Sequence, residues 1–537
     1  MQRFLVLGVS CTGLIISVLI SYFLNIESVN EMANNGLLFI SNAAKAHSVC
    51  VKASKFVRNV LYITVKESPE TTLPVLSRQI VNVYSKASSQ CGNLDIRLML
   101  KTSEQATIKT HHPIDVILYD VELAKQTERL KQSVSTLEKE CKLQSIDTRD
   151  IQQDSISKEE VKTYEYVALG GTFDRLHNGH KILLSQAALR ATKHVTVGVT
   201  DVNMIQSKKL WELIEPVEQR ISNVLSFLKD VNPDLEYNVF PLKDLYGPTK
   251  DDPKFQLLIV SEETVRGGEK INDKRLENGL SPLDIHTIAL APDSDPQRSN
   301  EEEDKLSSSN TRMRLLGTQL REPKPNPNIP DWPYIIGLAG GIASGKSNIA
   351  QKLQEKGAAI INCDTLAHGL YAAGTPLNRT LTDTFGEHIR REDGELNRSI
   401  LGQIVFSDTS KLEKLNNILW PAIIDEAEKR ARALGAAGAK VVVLEAAVMV
   451  RARWHTRCHE LWSVIIPKEE AIKRIQKRNS LSEEEARQRV EAQPSNLEQI
   501  AEAHKVFCPY WSYKYTQTQI DRAWNKLEEF LEKRGTN

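Results

Sequence analysis

The sequence predicts an α/β protein with two parallel-sheet nucleotide-binding domains behind an N-terminal membrane helix and an accessory region. Three observations predict it. After Val161, short apolar runs alternate with helical stretches, the pattern of a parallel sheet. Two of the predicted strands run into glycine-rich turns followed at once by helices, at 170–180 (GGTFDRLHNGH) and 340–347 (GGIASGKS). Between them, residues 321–333 (REPKPNPNIPDWP) form a proline-rich spacer that neither sheet can absorb, because proline lacks an N–H and fixes φ.

The 537 residues are too many for one core. Lys and Arg total 69, and so do Asp and Glu, so no global basicity points to nucleic acid, while a nucleotide needs only local charge. The seven cysteines (Cys11, Cys50, Cys91, Cys141, Cys363, Cys458, Cys508) are scattered and form no CxxC pair, which fits a reducing compartment and gives no zinc or disulfide framework.

Residues 4–24 carry no charge and follow Arg3. As a helix they would span about 30 Å, the thickness of a bilayer core. Residues 1–26 are therefore read as a hydrophobic anchor, with the rest of the chain in the cytosol. In the accessory region and linker, 27–160, strands are expected at 95–100 and 114–119, a long polar helix at 121–143, and a charged linker at 144–162. His111 and His112 are adjacent and would point opposite ways on a strand, so they read as surface histidines rather than a metal pair. This region shows no chemistry.

In 161–320, a strand at 166–169 leads into Gly170 and Gly171, which let the backbone approach an anion near a helix N-terminus. The helix is expected to begin at Lys181. His177 and His180, with Gly179 between them, can hydrogen-bond phosphate oxygens in a tight site. Further strands are expected at 195–199, 235–242, 255–261 and 285–290. Ser307, Ser308 and Ser309 precede an apolar helix and are either caps or phosphate donors, with Arg312 or Arg314 adding charge.

After the spacer, in 334–537, a buried strand enters Gly340, Gly341, Ile342, Ala343, Ser344, Gly345, Lys346 and Ser347. This is GxxxxGK[ST] in its required strand-to-helix setting: backbone N–H groups cradle phosphates, Lys346 reaches the terminal ones, and Ser347 holds Mg²⁺. Asp364 follows the next strand, where it can take the proton of an acceptor hydroxyl or cap a helix. Strands at 441–445 and 461–466 follow, the first ending in Glu445. A basic helix at 469–477 and a capping-box start at 480–485 have the form of a small-kinase lid, with Arg478 between them.

The blocks GGTFDRLHNGHK, SKKLWELIEPVEQR and VSEETVRGGEKINDKR resemble the nucleotidylyltransferase superfamily and, more narrowly, eukaryotic phosphopantetheine adenylyltransferase. GLAGGIASGKS, INCDTLAHGLY, DGELNR and IKRIQKRNSLSEEEARQRV resemble dephospho-CoA kinase. The order of the two is similar to that in the bifunctional coenzyme A synthases of animals. The resemblance implies a Rossmann-like HxGH fold followed by a P-loop kinase fold. It also implies adenylyl transfer from ATP to 4′-phosphopantetheine, then phosphorylation of the dephospho-CoA ribose 3′-hydroxyl, with Mg²⁺. Thr172 would meet the incoming phosphate, and Lys208 or Lys209 would neutralise charge. Ser307 to Ser309 and Arg312 would hold the triphosphate, with Arg220 and Arg266 as lesser candidates, and Asp174 would fix the turn. Asp364, Lys346 and Arg478 would act at the kinase site. The sequence departs from the kinase pattern at Glu445 (usually Asp), Arg451 (Glu in bacterial relatives), Trp420 (His) and Asn479 (Asp). The resemblance also points to the mitochondrial outer surface. A different reading is a kinase-competent membrane-tethered scaffold whose nucleotidylyltransferase domain is degenerate or serves another acceptor.

Overall fold

The computed structural model describes residues 32–535, apart from 67, 70, 93, 101–106, 150 and 152–159. The expected anchor, 4–24, lies outside them. Among the described residues no helix is long and apolar enough to cross a membrane.

The chain forms two compact units. One takes in the residues up to 207 with 215–298 and 303–308; the other takes in 208–214, 299–302 and 309 onward. The proline-rich spacer, expected as a domain boundary, therefore lies inside the second unit.

The first unit holds two five-stranded parallel sheets. The accessory region is the first: β1 (Ala33–Ile40), β2 (Val57–Val65), β3 (Asp95–Leu98), β4 (Ile114–Asp120) and β5 (Leu137–Ile146), in the order β3-β2-β1-β4-β5, with β3 and β4 at the two strands expected from the sequence. Leu38, Ile40, Leu61 and Ile63 are wholly buried in its core. Each such side chain contributes roughly 1.5–3 kcal/mol. The long helix expected at 121–143 does not form. A 3-10 segment (Val121–Gln126) and a short helix (Thr127–Gln132) give way to β5. Leu137, Cys141 and Leu143 share one face of that strand and pack on the core, a period of two beneath a polar composition that suits an edge strand. The expected linker at 144–162 correspondingly begins inside β5. His111 and His112 stack edge to face, with ring centroids 4.9 Å apart. The His111 backbone N–H donates to Asp230 Oδ1 (2.8 Å). No metal-ligating cluster occurs among the described residues.

The second sheet contains β6 (Tyr164–Gly171), β7 (Ala191–Thr200), β8 (Glu236–Leu242), β9 (Leu257–Ser261) and β10 (Asp284–Ile288), ordered β10-β9-β6-β7-β8. Counted from its own first strand, each sheet of this unit has the order 3-2-1-4-5. In such a sheet the crevice at the C-terminal ends, where the order reverses beside the first strand, is the place for a ligand.

The second unit is built on β11 (Tyr334–Gly340), β12 (Ala359–Asn362), β13 (Val441–Glu445), β14 (Glu460–Val464) and β15 (Lys505–Phe507), ordered β12-β13-β11-β14-β15 and parallel throughout. Every residue of β11 is buried, which explains its unbroken apolar run. Ile336 and Leu338 face one cluster with Ile349, Leu353 and Ile520, while Ile335 and Ala339 face another with Ile423 and Ile424.

Candidate active sites

In the first unit β6 runs through Gly170 and Gly171, and the following helix spans Asn178–Arg190. The helix thus starts three residues before the expected Lys181. His177 is its N-cap residue and His180 sits in its first turn. The intervening turn is held in an unusual conformation, with Phe173 at φ +48 and Arg175 at φ +47. Non-glycine residues take such angles only when their surroundings force them to. Here Phe173 is buried. The Asp174 carboxylate, also buried, accepts from the Glu215 N–H (3.0 Å) and from Arg175 Nη1 (3.1 Å). Ser308 Oγ donates to the Asp174 carbonyl (3.0 Å), which fastens one serine of the predicted triplet to this turn.

The rings of His177 and His180 stack, centroids 3.8 Å apart and 23° between planes. A Cβ at position 179 would lie 3.1 Å from the His177 ring, so any side chain there would press that ring out of its place in the stack by a few tenths of an ångström. Burial, then the neighbouring His180, holds the His177 imidazole well below its usual pKa range, so it is neutral at physiological pH. Its Nδ1 is buried without a hydrogen-bond partner. Beside the orphan N–H groups of a helix N-terminus, such an atom suits an anionic ligand. Thr172 Oγ1 accepts from Thr200 Oγ1 at 3.2 Å. Arg220 is buried and donates to the carbonyls of Glu215 (2.8 Å), Thr172 (2.8 Å) and Thr200 (2.9 Å). It braces the turn through Nε and Nη1. Ser307 and Ser308 lie in this unit, and the exposed Arg266 lies on the helix Val265–Glu277.

Lys208, Ser309 and Arg312 belong to the second unit. Lys208 and Lys209 are exposed. Arg312 is buried on the helix Ser308–Leu315; its Nε donates to the Lys209 carbonyl (2.9 Å) and its Nη2 to Ser309 Oγ (3.4 Å). It anchors the lysine pair as well as the helix it belongs to.

The second site is a cleft of about 780 Å³ at the C-terminal end of β11, lined by residues 340–348, Asp364, Arg474 and Arg478 among others. Gly345, at φ +91, is the N-cap of the helix Lys346–Glu355. A Cβ on Gly340 would lie 2.6 Å from Ser344 Oγ and 3.0 Å from the Val464 carbonyl, so the loop closes only around glycine. Ser344 Oγ is buried with no partner.

Lys346 Nζ lies 3.0 Å from Glu445 Oε1, and Ser347 Oγ donates to the same oxygen at 2.6 Å. Asn362 Nδ2 donates to Oε2 at 3.1 Å. Burial raises the pKa of the Glu445 carboxyl, but Ser347, Lys346 and Asn362 outweigh it and hold the group below its ordinary 4.5. Asp364 is exposed in the first turn of the helix Cys363–Leu370, and the capping role left open for it falls to Asn362, whose Oδ1 accepts from the Thr365 N–H (2.8 Å). Arg478 ends the helix Lys468–Asn479 and its Nε donates to Asn479 Oδ1 at 3.1 Å. The helix Glu483–Glu491 follows, started by a reciprocal Ser482–Glu485 capping box.

Sequence reasoning saw an acid at Glu445 without giving it a role; its place at the end of β13, beside β11, was the available signal. It gave no role to Gln493, whose Oε1 accepts from the Ile342 N–H (2.6 Å), and no local pattern marks that residue. The aromatic pair Trp511 and Tyr513, also on the cleft wall, follows β15 in a stretch that reads as an ordinary turn.

Comparison with known proteins adds to this geometry. Residues 334–508 match the family model described as dephospho-CoA kinase, and residues 168–314 match the one described as cytidylyltransferase-like. A dephospho-CoA kinase of Carboxydothermus hydrogenoformans is 39% identical over 35% of this chain and 90% of its own length. A phosphopantetheine adenylyltransferase of Saccharomyces cerevisiae is 39% identical over 31% of this chain and 53% of its own length, so the chain spans about half of that relative. A solved structure from Thermus thermophilus is 28% identical over 37% of this chain and 98% of that one, at a TM-score of 0.32.

Proposed function

This chain belongs to the dephospho-CoA kinase family through residues 334–508, and from that premise we propose that it carries out the last two steps of coenzyme A synthesis. The first unit transfers adenylyl from ATP to 4′-phosphopantetheine, and the kinase consumes the dephospho-CoA so formed. One observation carries this reading: a single chain holds a histidine stack with a neutral His177 at a helix N-terminus and a P-loop cleft, two phosphate sites suited to consecutive reactions.

In the first reaction a phosphate oxygen of 4′-phosphopantetheine attacks the α-phosphorus of ATP. The bond to the bridging oxygen breaks and pyrophosphate leaves. The nucleophile is already anionic, so positioning and charge stabilisation supply the catalysis. We assign these to His177, His180, Thr172 and the helix N–H groups, with the triphosphate held by Ser307 and Ser308. In the second reaction the ribose 3′-hydroxyl attacks the γ-phosphorus, its proton passes to Asp364, and ADP leaves. Lys346 bears on the transferring phosphoryl, and Arg478 closes from the lid.

The paired oxygens of Ser347 and Glu445, 2.6 Å apart, suit a hard divalent cation, and these two would hold Mg²⁺. Bound there, Mg²⁺ would neutralise phosphate charge. Residues 4–24 serve as the anchor in this reading, holding the enzyme on the mitochondrial outer membrane with its sites in the cytosol; their uncharged length supports the anchor and family resemblance the organelle. Alkaline extraction of membranes would leave the chain in the pellet, and release into the supernatant overturns the anchor.

The activity is tested by supplying the purified full-length chain with 4′-phosphopantetheine, ATP and Mg²⁺ and following products by mass. Wild type yields coenzyme A, His180→Ala yields neither product, and Lys346→Ala stops at dephospho-CoA. If wild type phosphorylates added dephospho-CoA but makes none itself, the first unit serves another acceptor or none.

A further inference from the structure

The first sheet has the strand order of the second but not its site. At its reversal point the buried Asp120 carboxylate, at the end of β4, accepts hydrogen bonds from Ser41 Oγ (2.5 Å) and from the hydroxyl of Thr148. Polypeptide thus fills the crevice where a nucleotide would enter, and the β1 turn (SNAAKAH) has neither the paired glycines nor HxGH. The domain's work lies elsewhere.

It lies against the helix Asn178–Arg190. Every residue of that helix from Lys181 to Arg190 is buried, including the polar Lys181, Ser185, Gln186 and Arg190. Lys181, the residue after His180, places Nζ 2.5 Å from Asp95 Oδ1 and 3.1 Å from the Ile96 carbonyl, both on β3. One and a half turns further on, Gln186 exchanges hydrogen bonds with the Ser77 carbonyl (2.8 Å) and hydroxyl (3.0 Å). Asp95 is itself fixed by Arg97 (2.9 and 3.0 Å), and Arg97 reaches Asp230 (2.5 Å) on the helix Val217–Val231. Both helices that flank β7 in sequence are therefore tied to β3.

We propose that Asp95 is a positioning residue for adenylyl transfer: through Lys181 it sets the axial placement of the helix whose first turn presents His177 and His180, so the accessory domain is a structural part of that site. Asp95 is the ion-pair partner of Lys181, and the Tyr84 ring lies 6.0 Å from the same ammonium. Burial pushes its ammonium below the usual pKa range and Asp95 opposes that. A buried charge that loses its partner must move toward water or lose its proton, and here movement displaces the turn that carries both histidines. Misplacement of a positioning helix by an ångström is enough to cost about a hundredfold in rate.

The proposal rests on the adenylyl-transfer reading, so the test includes a readout that needs no substrate. Full-length wild type, Asp95→Asn and Asp95→Asn/Lys181→Met are compared by hydrogen exchange over 177–184 and by dephospho-CoA formation. Asp95→Asn raises exchange at 177–184 and lowers kcat for adenylyl transfer about ten- to a hundredfold, with KM for ATP within about threefold. Phosphorylation of supplied dephospho-CoA is unchanged. The double variant, which leaves no buried charge, recovers most of the protection and rate. Wild-type exchange in Asp95→Asn, or a double variant as poor as the single one, overturns the proposal. If Asp95→Asn unfolds the accessory domain, raising exchange throughout 33–146, the double variant decides between the same two outcomes. If wild type makes no dephospho-CoA, the adenylyl-transfer reading fails, and exchange at 177–184 alone decides whether Asp95 places the helix.

Discussion

At Glu445 the side chain is one methylene longer than the aspartate usual in the kinase pattern, and Oε1 meets both Lys346 and Ser347. Removing its charge leaves Lys346, 11% exposed, without its anionic partner and takes away a hard oxygen beside Ser347. Glu445→Gln is expected to slow the kinase step by about a hundredfold while dephospho-CoA formation continues, so dephospho-CoA accumulates in the mass assay. His177 gives a pH signature of the opposite kind. Its folded pKa is depressed and its unfolded pKa is near 6.5, so the unfolded chain binds the extra proton first. Stability of the first unit is full above pH 6.5 and falls as the pH drops below it. The denaturant midpoint of that unit should therefore decline between about pH 6.5 and 5, and His177→Asn should flatten the decline. At this scale the sequence was readable wherever chemistry is written in a contiguous motif. Arg220 and Arg312 were not, because a guanidinium that holds carbonyls and one that waits for phosphate have the same letter.

Among the elements, the helix Asn178–Arg190 joins a legible start to an illegible flank. Gly179 leaves the His177 ring its place in the stack, since a methyl there would meet that ring at 3.1 Å and force it to shift. Gly179→Ala is expected to lower adenylyl transfer at least tenfold with the melting temperature changed by only a few degrees. Measured turnover within a factor of two of wild type would mean that the stack is not needed. Further along, nothing in the sequence marks Lys181, Ser185, Gln186 and Arg190 as buried, and only the fold shows that the accessory domain covers Lys181 and Gln186. The same ambiguity misled the reading of 121–143. A polar segment whose apolar residues are few carries little periodicity, so its strand at Leu137–Ile146 was taken for helix. The strands of the later two sheets, β15 excepted, were found to within a few residues because buried parallel strands are continuous apolar runs, and the three-residue β15 is too short to read as one.

Across the whole molecule, two of the three parallel sheets place a candidate phosphate site at the C-terminal ends of their strands. The α/β class and the two glycine-rich turns were legible because each turn lies within a dozen residues of its strand and helix. In the first sheet only β3 and β4 were legible, because its crevice carries no ligand motif to mark the rest. If Ser347 and Glu445 hold Mg²⁺, excess chelator is expected to abolish conversion of supplied dephospho-CoA to coenzyme A, with restoration on adding Mg²⁺ back. Conversion that persists under chelation would free both residues from that role.

The Asp95–Lys181 tie has an inherited consequence. A lesion in the accessory domain, remote from every nucleotide, would masquerade as a defect of the first enzyme alone. Cells carrying it would pile up 4′-phosphopantetheine with little dephospho-CoA, and supplying dephospho-CoA would bypass the block. A lesion in the P-loop unit would leave the opposite metabolic trace. Which intermediate accumulates would thus tell which end of the chain carries the lesion.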